Sequence, residues 1–245
     1  MSNEAESTEK YDLEDLGAEM SSRKAGRGLW LLVTMDVVFG LLDLILCGFF
    51  VYWSFAADGV VLFAWHPSLL SIGFILFMTE AINVYNNAVL MNKGRKSYSY
   101  RVLAHWVLHT FAMICITGGF AAIVWNKIRL GKHHFKTPHA IVGLITFILM
   151  FLVAAGGIAT KYSFSLRKRI RPVVLKLTHS GLGLLIYWLG GVTLILGLYT
   201  KWFEKHRTQT DLYFSIAAIL VIWFSTSLRP MRQIFKRLKQ MFTSI

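Results

Sequence analysis

Six apolar runs, roughly 29 to 54, 66 to 88, 102 to 125, 138 to 160, 173 to 199 and 212 to 229, constrain this chain more than any other feature. Each is long enough for a helix to cross about 30 Å of hydrocarbon. Water is absent at that depth, so the backbone must satisfy its own hydrogen bonds and helices are the expected form. With 55% hydrophobic and only 16% charged residues, the chain has more apolar surface than a soluble domain can bury. The connections are short, which makes neighbouring spans antiparallel and leaves no room for a second folded domain. Pro67, Pro138 and Pro172 stand where spans two, four and five open, and Pro230 is expected to close span six, because proline is tolerated in a first helical turn and disrupts an interior one. The fold class is an all-α membrane protein of six transmembrane helices.

Residues 1–27 hold seven acidic and four basic side chains with little apolar clustering, a composition that predicts a disordered tail. That polar start lacks the charged and short apolar regions of a cleavable signal peptide, so span one is expected to direct its own insertion. The helical domain is expected over 28–230, followed by a basic tail at 231–245. Of 26 Lys and Arg residues, 19 fall in the N-terminal tail, the loops between spans two and three and between four and five, and the C-terminus. The opposite side holds 7, and the positive-inside tendency then puts both termini in the cytosol. The net charge of +13 is strung out between apolar runs, which argues for a lipid bilayer as partner and against nucleic acid. Cys47 and Cys115 each lie inside an apolar run and support neither a disulfide framework nor a thiolate metal site.

Four histidines, His66, His105, His139 and His179, stand one apiece at the beginning of spans two to five. Spans two and four start on the non-cytosolic side, spans three and five on the cytosolic side, so parity pairs His66 with His139 and His105 with His179 at matching depths. An imidazole inside the membrane is expensive and faces the bundle interior. Two neutral imidazoles from facing helices fill both axial positions of a haem iron, a state that passes electrons and does not bind oxygen. Zinc would require four tetrahedral ligands, and no Asp or Glu sits beside these histidines. The pattern therefore predicts two haems stacked through the membrane. Arg101, Lys136 and Lys176 each precede one of these histidines by three or four residues, a spacing that puts both side chains on one helix face; they are candidates to meet a haem propionate or an anionic substrate, or to anchor the span ends.

Several stretches carry a family resemblance. They are Phe-Ala-Trp-His-Pro at 63–67, Phe-Met-Thr-Glu-Ala at 77–81, His105-Trp106-Val107-Leu108, Leu130-Gly131-Lys132 leading to His139, and Leu175-Lys176-Leu177-Thr178-His179 with Gly181. In these, and in the order of the four histidines, the chain resembles the cytochrome b561 family over roughly residues 28–229. The resemblance implies spans two to five as a four-helix bundle around two b-type haems, ligated by His66 with His139 and by His105 with His179. It also implies transmembrane electron transfer from cytosolic ascorbate to a ferric chelate or monodehydroascorbate radical on the other side. Two motif positions depart from the family pattern and read Glu80-Ala81-Ile82-Asn83-Val84-Tyr85 and Thr137-Pro138-His139-Ala140-Ile141. Lys93, Arg95, Lys96, Arg101 and Lys176 are the cations expected near the donor, and Lys132, His134 and Lys136 those near the acceptor.

His109 shares a helix face with His105 and reads as a core or hydrogen-bonding residue, while His133 and His206 are loop residues. Asp36 and Asp43 lie seven apart on one face of span one and must look inward, pair or protonate. Glu80, about 21 Å along a helix from His66, falls near the cytosolic histidines. Two other classes of function remain open: a haem-binding anchor passing electrons to quinone or a protein partner, and a transporter or proton relay using intramembrane His and Asp. The latter fits less well, because the histidines cluster near the two faces instead of at the midplane. An endoplasmic reticulum or vesicle membrane is expected in preference to the plasma membrane, and a homodimer is compatible with the sequence.

Overall fold

The structure, a computed structural model, describes the backbone of residues 2–87 and 94–243; the side chains at 2–27, 29, 58, 86, 94–96, 242 and 243 lie outside the described residues. Helix α1 runs Ser2–Asp58. After a 3-10 turn at Leu62–Ala64, α2 runs as α-helix at Trp65–Ser71, widens to a π-type spacing over Ile72–Met78 and returns to α over Thr79–Asn86. Then follow α3 at Gly94–Arg129, α4 at Pro138–Lys161, α5 at Pro172–Gly197, the short α6 at Lys201–His206 and α7 at Gln209–Thr243. Six helical stretches among the described residues are long and apolar enough to cross a membrane, in α1, α2, α3, α4, α5 and α7. An even number of crossings puts both termini on one face, here called the terminal face; the other is the far face.

The helix starts have readable causes. Thr137 is extended (φ −117°) and its hydroxyl accepts from the Ala140 amide at 3.3 Å, while Pro138 occupies the first helical position of α4, where its missing N–H leaves no bond unmade. At α7 the Thr208 amide donates to Asp211 Oδ2 at 2.8 Å, and the Asp211 amide donates to Thr208 Oγ1 at 3.1 Å, a reciprocal cap.

Two expectations need correction. Span six does not close at Pro230: α7 continues to Thr243 with the proline inside it. Proline removes one backbone bond, but the following Met, Arg, Gln, Lys and Leu residues are good helix formers, and Arg237 ties the extension to α5 by donating to Ser180 Oγ at 2.5 Å and to the Lys176 carbonyl at 3.3 Å. Residues 231–243 are therefore helix. At the other end, α1 extends back to Ser2 through the polar stretch expected to be disordered. Glu, Ala, Leu, Lys and Met in that stretch favour propagation of a helix that span one already nucleates.

The tightest helix pairs are the hairpins α2–α3 and α4–α5. They meet at mid-membrane, where Phe74 packs on Gly190 so closely that a Cβ on that glycine would fall 2.7 Å from the ring. Helix α7 covers α5, and the Trp223 indole stacks on Tyr187 at 4.6 Å with planes 3° apart while donating to the Tyr187 carbonyl at 2.5 Å. Helix α1 closes the outside of α2 and α7 with Leu46 and Phe50. Large apolar side chains such as Ile45, Ile114, Leu152 and Phe224 point outward and exposed, which suits lipid as the surrounding solvent.

Candidate functional site

Within each hairpin, the histidine at one end leans on the backbone of the antiparallel partner. His66 Nδ1 of α2 lies 3.0 Å from the Gly119 carbonyl of α3, and His105 Nδ1 of α3 lies 2.8 Å from the Ala81 carbonyl of α2. In the second hairpin His139 Nδ1 of α4 lies 2.9 Å from the Thr193 carbonyl of α5. The His179 ring lies near the Val153 carbonyl of α4, and its Nδ1 has no hydrogen-bond partner among the described residues. A carbonyl can only accept, so Nδ1 carries the proton in the first three rings and Nε2 keeps its lone pair free. That is the tautomer in which histidine binds a metal, with the second nitrogen held by a carbonyl.

The rings then meet across the hairpins. His66 and His139 face each other with centroids 6.0 Å apart and planes at 83°; His105 and His179 are 6.5 Å apart at 86°. Two metal–imidazole bonds of about 2 Å each plus half the width of each ring come to about 6 Å, so both pairs are spaced to hold one metal atom between them. Gly119, the partner of His66, is fourteen residues along α3 from His105, which separates the two pairs by about 21 Å along that helix. No cluster of three or more His, Cys, Asp or Glu that could hold a bare metal ion occurs among the described residues. A planar cofactor that brings its own equatorial ligands is what two-imidazole sites accommodate.

The surroundings fit such a group. A cavity of about 320 Å³ opens beside His66 and His139, lined mainly by apolar side chains including Leu70, Phe74, Phe120 and Phe147, with Lys127 and His134 among its polar members. Glycines leave the rings room to stand: a Cβ at Gly197 would lie 3.3 Å from His139 Cε1, and one at Gly157 would lie 3.1 Å from His179 Cε1.

Of the cations singled out from sequence, Arg101 is buried beside the terminal-face pair. Its Nη1 donates to the Tyr85 carbonyl at 2.7 Å, its guanidinium lies 5.7 Å from the Tyr85 and Tyr98 rings, and its Nε has no partner among the described residues. Lys176 is half-buried at the same end of the bundle. Lys93 lies outside the described residues, as do the side chains of Arg95 and Lys96. On the far face His134 lines the cavity, whereas Lys132 and Lys136 are exposed and do not. Lys136 precedes the cap Thr137 and so lies outside α4; the shared-face argument holds for Arg101 and Lys176 but not for it. Lys127, which sequence reasoning passed over, lines the cavity and donates to the His133 carbonyl at 2.9 Å. His109 sits 4.4 Å from His105, ring to ring. One readable signal was also missed: His139 to Gly157 and His179 to Gly197 are both eighteen residues, five full helical turns, and each glycine faces the histidine of the other helix.

A multi-pass helical membrane protein with an imidazole pair near each face is thus the class that fold and site define. Residues 65–204 match the sequence profile of eukaryotic cytochrome b561. The chain is 35% identical over 181 residues to transmembrane reductase CYB561D2 of Bos taurus, covering 73% of this chain and 78% of that protein; this is the subgroup that the sequence motifs resemble. It is 30% identical over 207 residues to probable transmembrane reductase CYB561D1 of Mus musculus, covering 79% and 87%. Against the transmembrane ascorbate-dependent reductase CYB561 of Bos taurus the identity is 28% over 147 residues, covering 58% and 54%. The chain belongs to the cytochrome b561 family, with the b-type haem and transmembrane electron transfer that membership carries.

Proposed function

We propose that the protein passes single electrons across its membrane through two b-type haems, one held by His105 and His179 near the terminal face and one by His66 and His139 near the far face. The observation that carries this is the pair of ring separations, 6.0 and 6.5 Å, found at two depths of one bundle. Haem held between the imidazoles of each pair would supply a reversible ferric–ferrous couple. The chain supplies the rest: carbonyls that hold Nδ1–H, glycines that give the rings room, and a low-dielectric apolar lining that tunes the iron.

The terminal face is the cytosolic one in this proposal, supported by the excess of basic residues on that side. The donor is ascorbate, as the name of the Bos taurus CYB561 relative supports, and the acceptor is a ferric chelate or monodehydroascorbate on the far side. Arg101 suits the donor end: it is buried, one turn before His105, and has a spare Nε–H for an anion. Lys127 and His134 take the corresponding part at the far-face cavity. The test is a sealed vesicle containing ferricyanide and the purified protein, with ascorbate added outside. Ferricyanide bleaching that needs the protein is expected; reduced haem with no bleaching would sink the crossing step.

A further inference from the structure

A polar stripe that the electron path does not use runs between α1 and α2. Asp36, Gly40 and Asp43 lie on one face of α1, spaced four and three residues apart, and face Asn83 and Glu80 of the antiparallel α2 and Asn87 just past its end. Asn87 donates to Asp36 Oδ2 at 3.0 Å, and the Glu80 carboxyl lies against Gly40, 3.8 Å from where a Cβ would stand. At the terminal end Asp36 is neutralised by Arg229 of α7 at 2.6 Å. Deeper in, Asp43 is fully buried with its carboxyl against that of Glu80, and among the described residues no other group hydrogen-bonds either of its carboxyl oxygens. Asn83 approaches Glu80 at 3.5 Å. Among the described residues, the other titratable groups within reach are Cys47 of α1 and Tyr187 of α5, both ordinarily neutral, the latter hydrogen-bonded to Thr79 at 2.9 Å.

A fully buried carboxyl beside a part-buried one, with no cation paired to either among the described residues, makes a site where two negative charges repel each other. The smallest ligand that relieves that repulsion is a proton. The pair is also coupled to the terminal-face imidazoles, because Glu80 adjoins Ala81, whose carbonyl accepts from His105 Nδ1 at 2.8 Å.

We propose that Asp43 and Glu80 form a redox-linked proton site serving the terminal-face haem, an inference that rests on the two-haem proposal. The pair takes one proton from water at the terminal face as that iron goes from ferric to ferrous, the electron coming from ascorbate, and releases it when the electron moves on. Asp36, Asn83 and Asn87 mark the entry side, about 10 Å nearer the surface than Asp43.

The test is potentiometric titration of the haem-loaded protein in detergent across the neutral pH range. One proton per electron changes the redox equilibrium tenfold per pH unit, or about 59 mV; the terminal-face haem should approach that slope. In Asp43→Asn with Glu80→Gln, which mimics the protonated pair, its potential should stay near the wild-type acid limit and lose its slope, while the far-face haem is unchanged. Redox-difference infrared spectra should show a protonated-carboxyl stretch appearing on reduction in the wild type and absent from the variant. Haem-loaded wild-type protein with a flat potential, or a variant with the wild-type slope, would overturn this proposal alone. Protein that binds no haem would overturn the two-haem proposal and this one with it.

Discussion

Gly190→Ala tests the seam between the hairpins, and hence what sets the distance across each imidazole pair. The new Cβ would fall 2.7 Å from both Cδ1 and Cε1 of Phe74, about 1 Å inside an optimal carbon–carbon contact. Neither partner can yield freely: Phe74 is buried at 3% exposure in the cluster with Ile75, Met78, Ile116 and Tyr187, and a helix backbone moves only as a unit. Overpacking of this kind costs about 1–3 kcal/mol. For a chain of this length, about 2–4 °C of thermal midpoint is lost per kcal/mol, read by tryptophan fluorescence in detergent. Phe74→Leu removes the clashing ring atoms and by itself leaves a cavity. The double variant should therefore be more stable than the sum of the two single losses predicts, a coupling of about 1 kcal/mol or more between residues in contact. Additive losses, or a Gly190→Ala protein as stable as the wild type, would refute the claim that this contact sets the approach of the hairpins.

Arg101→Ala should leave haem content intact and raise the KM for ascorbate about 10- to 100-fold, the equivalent of about 1.5–3 kcal/mol for a charge-assisted hydrogen bond; unchanged kinetics would remove Arg101 from the donor site. Arg229→Ala deprives Asp36 of a partner 2.6 Å away at side-chain exposures of 23% and 27%. A loss of about 1–3 kcal/mol is expected between the exposed and buried limits, and Asp36→Asn in the same chain should recover most of it. No recovery would show that Arg229 acts through packing instead of charge.

The six spans were legible because hydrocarbon permits so few backbone solutions, and the meeting of His66 with His139 and of His105 with His179 followed from parity alone. What escaped the sequence was whatever depends on contacts between helices. The carbonyl partners Gly119, Ala81 and Thr193 are backbone groups, and any residue type could have supplied them. Pro230 stays inside α7 because Arg237 reaches α5, a tertiary tether with no local signature. Lys127 reaches the far cavity because α3 continues beyond the apolar run to Arg129. Lys136, by contrast, was misplaced by extending the helical spacing across the start of α4. The acidic stripe was half visible: Asp36 and Asp43 share a face by spacing, but their partners Arg229 and Glu80 come from other helices.

In the proposed function each imidazole pair grips its own haem. Haem-to-protein ratios from pyridine haemochrome spectra, measured for the wild type and for single His→Ala variants, count the haems that each pair holds. The expected ratio is two for the wild type and about one for each of His66→Ala, His105→Ala, His139→Ala and His179→Ala, with His66→Ala plus His139→Ala still retaining one. A wild-type ratio of one or none, or a His66→Ala plus His139→Ala protein that folds and retains both haems, would contradict it.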